Sequence, residues 1–188
     1  NSSMKLTYKY LVACALLSIS IVTNAGNDEK RGQAGATELM MNPWAKSAGY
    51  AGSNIAGITG VEAMRFNVAG IADTNGMGLA FAQTKFMVGT DVTSNSVGWI
   101  KSVGKTGTIG ISLMSMDLGD FDQTRVDDPD GKSGITFTPN YTNLGVGYSK
   151  RFSSSIDGGI LIRVVSESIS NISSTGVAFD AGLQYHPD

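Results

Sequence analysis

Period two dominates the second half of this sequence, and few folds tolerate it over stretches this long. Val97, Trp99 and Val103 alternate with Gly98 and Ser102; Ile109, Ile111 and Leu113 alternate with Gly110 and Ser112. Leu144, Val146 and Tyr148 alternate with Gly145, Gly147 and Ser149. Ile160, Ile162 and Val164 share one face of their segment, while Asp157, Arg163 and Glu167 share the other. Val177, Phe179, Ala181, Leu183 and Tyr185 alternate with Ala178, Asp180, Gly182 and Gln184. Side chains of a strand point to opposite faces in turn, so each segment reads as a strand with one apolar face. With a weaker segment at 77–86, the pattern predicts six strands: 77–86, 95–103, 107–116, 141–151, 156–168 and 174–185.

Two architectures accept such strands. A sandwich hides the apolar face against a second sheet. A transmembrane β-barrel turns it to lipid and lines its interior with small and polar residues. The strands have about the 9–11 residues that cross a bilayer at a tilt. Their second face, built of Gly, Ser, Asp, Arg, Glu and Gln, is a poor soluble core. The connections alternate too: tight turns at Gly104–Gly107 and Phe152–Ser155, longer segments at 87–94, 117–140 and 169–173. Short periplasmic turns and longer extracellular loops are the pattern of outer-membrane barrels. The expected fold is therefore all-β, an antiparallel transmembrane barrel, with Lys101 snorkelling to the interface beside its turn. Six strands do not close a barrel, since single-chain barrels begin at eight. The chain thus reads as the N-terminal part of a longer barrel, with His186-Pro187-Asp188 as the next turn. Parity adds one pair. Odd positions of 156–168 and even positions of 174–185 share the inner face, so opposed residues sum to an odd number. A register near a sum of 343 sets Arg163 opposite Asp180 as an ion pair in the lumen.

Residues 4–25 form a different kind of segment. Lys5 and Lys9 precede an apolar run from Leu11 to Val22, and Thr23-Asn24-Ala25 supplies small residues at a cleavage position. This is the layout of a cleaved export signal, with the mature chain starting near Gly26 and Asn1-Ser2-Ser3 lying upstream of Met4. Cys14 sits in a stretch like a lipoprotein box, but the apolar run continues past it. Composition narrows the rest. Charged residues are 16% of the chain and the net charge is -2, with no basic cluster that would serve nucleic acid. One Cys excludes a disulfide framework, and one His, His186 in the last turn, leaves little for His-dependent catalysis. The expectation is a protein that is not an enzyme, without cofactor or catalytic residues.

The long segment between strands carries Asp117, Asp120, Asp122, Asp127, Asp128 and Asp130. Such oxygen ligands suit Ca²⁺, but the spacing does not match an EF-hand, and Asp128-Pro129-Asp130-Gly131 reads as a turn. No metal is assigned. Phe121, Phe137 and Tyr141 in or beside this loop are the candidate partner contacts.

Residues 26–76 are rich in Gly and Ala. Gly49, Gly52, Gly57 and Gly60 allow close backbone packing, and Val61 to Phe66 reads as a short helix, together a plug-like segment before the strands. No Walker Lys-Ser/Thr follows these glycines, so a phosphate loop is not indicated. The run Asn42-Pro43-Trp44-Ala45-Lys46-Ser47-Ala48-Gly49-Tyr50-Ala51-Gly52 is followed by Gly60-Val61-Glu62-Ala63, by Asn67-Val68-Ala69-Gly70-Ile71-Ala72 and later by Ser112 to Asp120. This resembles the PorV/PorQ family of Bacteroidetes outer-membrane proteins, similar in architecture to FadL fatty-acid channels. Lys46 stands where the family has Arg, and Val68 where it has Pro.

The resemblance implies three parts: a signal in 1–25, a plug-like segment in 26–76, and barrel strands in 77–188 of a FadL-like barrel of about fourteen strands. It implies a component of the type IX secretion system in the outer membrane of a Gram-negative bacterium. Such a component meets lipid and a large translocon barrel. It accepts secreted cargo through a C-terminal signal domain and passes it to the surface-attachment machinery. Two other readings stand beside it: a FadL-like channel for hydrophobic solutes, and a soluble adhesin sandwich.

Overall fold

A computed structural model describes residues 35–86 and 89–187. The expected export signal, Cys14 and the presumed mature start at Gly26 lie outside the described residues. Those from Ala36 onward belong to one compact unit. It is mostly antiparallel β-sheet with a few short helices, and no helix among the described residues is long and apolar enough to cross a membrane.

Eight strands form. β1 (Met77–Lys85), β2 (Thr93–Val103), β3 (Gly107–Asp117), β6 (Asn140–Arg151), β7 (Ile156–Ile169) and β8 (Ile172–Tyr185) make one sheet in the order β1-β2-β3-β6-β7-β8. Every neighbouring pair is antiparallel. β4 (Phe121–Asp122) and β5 (Thr136–Phe137) form a small hairpin inside the segment expected to be loop. Gly104 takes the turn between β2 and β3 at φ 68, a conformation open to glycine without strain.

Two boundaries correct the sequence reading. The expected connection at 169–173 is mostly strand: Ile169 pairs with Ile172 across Ser170 and Asn171, with Ser170 at φ 55. The tighter turn moves the β7–β8 register from the expected sum of 343 to 341, with Ile156 opposite Tyr185. Arg163 therefore faces Ala178, and Asp180 faces Leu161. The parity held because a shift of two keeps every side chain on its face.

The N-terminal segment covers one face of the sheet. It runs through a 3₁₀ turn at Thr37–Met40, α1 (Ala45–Gly49), a 3₁₀ turn at Ile55–Gly57, α2 (Ala63–Phe66) and a 3₁₀ stretch at Val68–Asp73. Trp44, Ile58, Val61, Met64, Val68 and Ile71 are buried with Ile100 and Leu161 of the sheet. Each such side chain taken fully from water contributes about 1.5–3 kcal/mol. Small residues on the sheet make the approach possible. A Cβ on Gly98 would stand 2.3 Å from Val61 Cγ1, and one on Gly182 would stand 2.1 Å from Asn67 Oδ1. The glycines that alternate with the apolar residues are thus seats for the N-terminal segment.

Candidate functional site

Two features of the sheet stand out, its open outer face and the polar ties on its covered inner face. On the outer face the register lines up whole rows. Phe81, Val97, Leu113, Leu144, Val164 and Val177 lie side by side across all six strands. The next row is Leu79, Trp99, Ile111, Val146, Ile162 and Phe179. A third row holds Met77, Lys101, Ile109, Tyr148, Ile160 and Ala181. Many of these side chains are open: Leu79 and Phe81 are both 71% exposed, Phe179 76% and Ile160 61%. Leu183, Ile156 and Tyr185 carry the apolar character on to the tight-turn end.

At the other end the change is abrupt. The row after Phe81–Val177 is Gln83, Asn95, Ser115, Thr142, Ser166 and Thr175, without one apolar side chain. The row beyond it is Lys85, Thr93, Asp117, Asn140, Ser168 and Ser173. From the row of Val177 to Tyr185, at about 3.4 Å per residue, the apolar band runs about 27 Å along the strands. A strand tilt of about 40° reduces that to about 21 Å in height. A continuous apolar surface spanning six strands far exceeds the few hundred Å² that a soluble monomer exposes.

On the inner face, Arg163 is only 6% exposed and is the central tie. Its Nε donates to Asp180 Oδ2 at 2.5 Å and its Nη2 to the Met64 carbonyl at 2.5 Å, with the Arg65 carbonyl at 3.5 Å. The structure thus brings Arg163 and Asp180 together as diagonal neighbours, and Arg163 also holds the end of α2. A guanidinium near the last carbonyls of a helix is well placed for their partial negative charge. The sequence reasoning found the pair from parity and missed the carbonyl, since nothing local announces which loop covers a strand.

Other ties escaped the sequence entirely. Asn67 Nδ2 donates to the Leu183 carbonyl at 3.0 Å, and Gln184 Nε2 donates to the Ile58 carbonyl at 2.7 Å. The buried Ser149 hydroxyl lies 2.9 Å from both the Ala69 and Gly158 carbonyl oxygens and donates to one at a time. Near the tight turns, Arg151 bridges Asp73 at 2.7 Å and Asp157 at 3.2 Å, and His186 Nε2 lies 3.2 Å from the second oxygen of Asp157. The only signal for these was a polar residue on the small-residue face of each strand.

A second charged group gathers where the N-terminal segment meets the polar end of β7. Glu38 is buried, with neither carboxylate oxygen hydrogen-bonded, and burial pushes its carboxyl above the ordinary range, helped by the nearby Glu167 charge. Glu167 accepts from the Ala36 amide at 2.5 Å. Arg65 donates to the Glu38 and Met41 carbonyls. Burial and the neighbouring Arg163 lower Arg65 to about 10, so it stays charged at neutral pH. A cavity of about 340 Å³ opens beside these arginines and β8, lined also by Leu39, Phe66 and Leu161.

The proposed partner contacts do not form one patch. Phe121 and Phe137 stack across the β4–β5 hairpin with ring centroids 5.8 Å apart. Tyr141 sits instead on the inner face of β6, half-buried between Met116 and Glu167. The aspartates of this segment mostly fix its turns. Asp117 accepts from the Gly119 amide, Asp120 from the Thr138 hydroxyl, and Asp128 from the Lys132 and Ser133 amides. The bonds from Ser133 hold the Asp128 carboxyl below its usual range. Among the described residues, no group of three or more His, Cys, Asp or Glu side chains is placed to hold a metal ion.

Comparison with known proteins adds no identity: no family model matches this chain, and no curated protein matches it.

Proposed function

We propose that this chain builds part of the wall of an outer-membrane β-barrel and that its N-terminal segment plugs the lumen. The observation that carries this reading is the outer band: two uninterrupted apolar rows across six strands and a third broken only by Lys101, ended on one side by two wholly polar rows. Water would not leave such a face open, while lipid requires one. β1 and β8 are the edges of the sheet, and a barrel needs at least eight strands, so the reading calls for further strands to close the ring.

Within that architecture, the role we propose is in type IX protein secretion. The chain would bind exported cargo through its C-terminal signal domain, beside a large translocon barrel, and pass it to the surface-attachment machinery. Its support is the resemblance of Asn42–Gly52, Gly60–Ala63 and Asn67–Ala72 to the PorV/PorQ family. These same residues form the covering segment. A wall packed this closely against its plug favours docking over conduction. The cavity of about 340 Å³ beside Phe66, Leu161 and the Arg163–Asp180 pair favours a second reading, a FadL-like channel for hydrophobic solutes.

Purification of the protein from its native outer membrane in mild detergent separates the two. Co-purification of a very large barrel and of exported proteins sharing a C-terminal domain supports the secretion role. A lone barrel carrying a lipid-like ligand moves the assignment to the channel. Release into buffer without detergent refutes both.

A further inference from the structure

We infer that the outer face carries a site for one anionic glycerophospholipid at its tight-turn end; the inference rests on the barrel reading. The band is bulky nearly everywhere, with Ile, Val, Leu, Phe and Trp facing out. It drops at Ala181, and in the adjacent row the ring of Phe152 lies over Gly158, 2.6 Å from where a Cβ would stand, and forms a wall of the depression. One row reads Tyr148, Ile160, Ala181 and the next Lys150, Gly158, Leu183. With Phe152 these residues line a cavity of about 550 Å³, overwhelmingly apolar and open to the outside. That is within the range of about 300–1,000 Å³ typical of small-molecule sites. Because the site sits in a surface facing hydrocarbon, an acyl chain is the occupant that fits it.

Charge selects the headgroup. Lys150 lines the groove in the row of Gly158 and Leu183, and its ammonium has no carboxylate partner among the described residues. Lys101 and Lys105 lie at the same end of the sheet and are likewise unpaired among the described residues. The carboxylates there, Asp73 and Asp157, are both held by Arg151. The opposite end carries the aspartates of the 117–130 segment. The tight-turn end is therefore the cationic one, and a phosphate on a chain lying in the groove meets Lys150, one row before the end of the apolar band.

The test is native mass spectrometry on the full protein taken from its outer membrane in mild detergent, stripped of lipid, and titrated with phosphatidylglycerol and phosphatidylcholine of identical chains. The expected result is retention of one phosphatidylglycerol in preference to phosphatidylcholine. Ala181→Trp fills the groove and loses both lipids. Leu183→Ala removes a wall and weakens both, which keeps the test decisive if the tryptophan variant fails to fold. Lys150→Gln keeps the chain but lowers the preference for phosphatidylglycerol about fivefold. A membrane-extracted protein whose lipid retention is the same in all variants overturns the site and leaves the barrel standing. An unchanged headgroup preference in Lys150→Gln overturns the anionic assignment. A protein that never required detergent overturns the barrel reading and the site with it.

Discussion

Arg163→Met tests how the N-terminal segment is held to the sheet. The substitution keeps an apolar stem of similar length and removes two strong hydrogen bonds, one to Asp180 Oδ2 and one to the Met64 carbonyl. The two are unequal. The Asp180 side chain is 44% exposed and water replaces much of what it loses, so that bond is worth about 0.5–1 kcal/mol. The Met64 carbonyl bond is buried, and a charge-assisted hydrogen bond of this kind is worth about 1.5–3 kcal/mol. Together they give a loss of about 2–4 kcal/mol, and its middle value of about 3 kcal/mol is a shift of roughly a hundredfold in the docked-to-undocked ratio. Asp180→Asn removes only the smaller part and costs about 0.5–1 kcal/mol. Tryptophan fluorescence provides the assay. Trp44 is 6% exposed in the N-terminal core, while Trp99 lies on the outer band. In a Trp99→Phe background, emission during urea titration in detergent reports undocking at Trp44, and far-ultraviolet circular dichroism reports the sheet. Equal losses in Arg163→Met and Asp180→Asn, or a loss below about 1 kcal/mol in the former, would refute the claim that the carbonyl bond is the main tie.

Three further outcomes are expected. Gly98→Ala puts a methyl group 2.3 Å from Val61 Cγ1 and destabilises docking by about 1–3 kcal/mol, whereas Gly176→Ala, whose nearest neighbour is Val165 at 3.8 Å, is neutral or slightly stabilising in the same titration. On the barrel reading, Ile111→Lys in the middle of the band costs about 2–4 kcal/mol of folding free energy in lipid vesicles, and Ser115→Lys at its polar edge about 0–1; equal values would sink the reading. Glu38→Gln raises the melting temperature at neutral pH and has no effect below about pH 4. The sign follows from the raised carboxyl: the folded form holds the proton more tightly, so stability falls as pH rises from the unfolded value through the raised one, and glutamine removes that loss.

Strands and faces were legible because a buried or lipid-ready face writes itself into the sequence every second residue. Leu144, Val146 and Tyr148 fix the facing of β6 without knowledge of any neighbour. Strand ends were less legible for a specific reason. The hydrogen-bond ladder runs past the apolar band into Ser166, Ser168, Ser173 and Thr175, where both faces are polar and alternation stops. Residues 169–173 therefore read as loop, and the assumed longer turn moved the register by two residues. The β4–β5 hairpin, two residues per strand, is too short for any period to register. Among the described residues of the N-terminal segment no helix exceeds six residues, so no helical stripe could tell that Met64 and Ile71 point to the core. Its small-residue composition was readable, but its docking through Arg163, Asn67 and Gln184 depends on contacts between residues about a hundred apart, which no local pattern encodes.

Those long separations also set an order of events. Asn67 meets Leu183 across 116 positions, Ile58 meets Gln184 across 126, and Ala36 meets Glu167 across 131. The covering segment precedes the wall in the chain, yet its anchors lie on the last two described strands. It emerges first, and its ties to Leu183, Gln184 and Glu167 close only once β7 and β8 are in place. Trp44 and Met64 lie against Gly98 and Gly110 of β2 and β3, so part of the segment has its seat before those last ties close. Contacts this distant in sequence form slowly, because the intervening chain must first be brought into a closed loop.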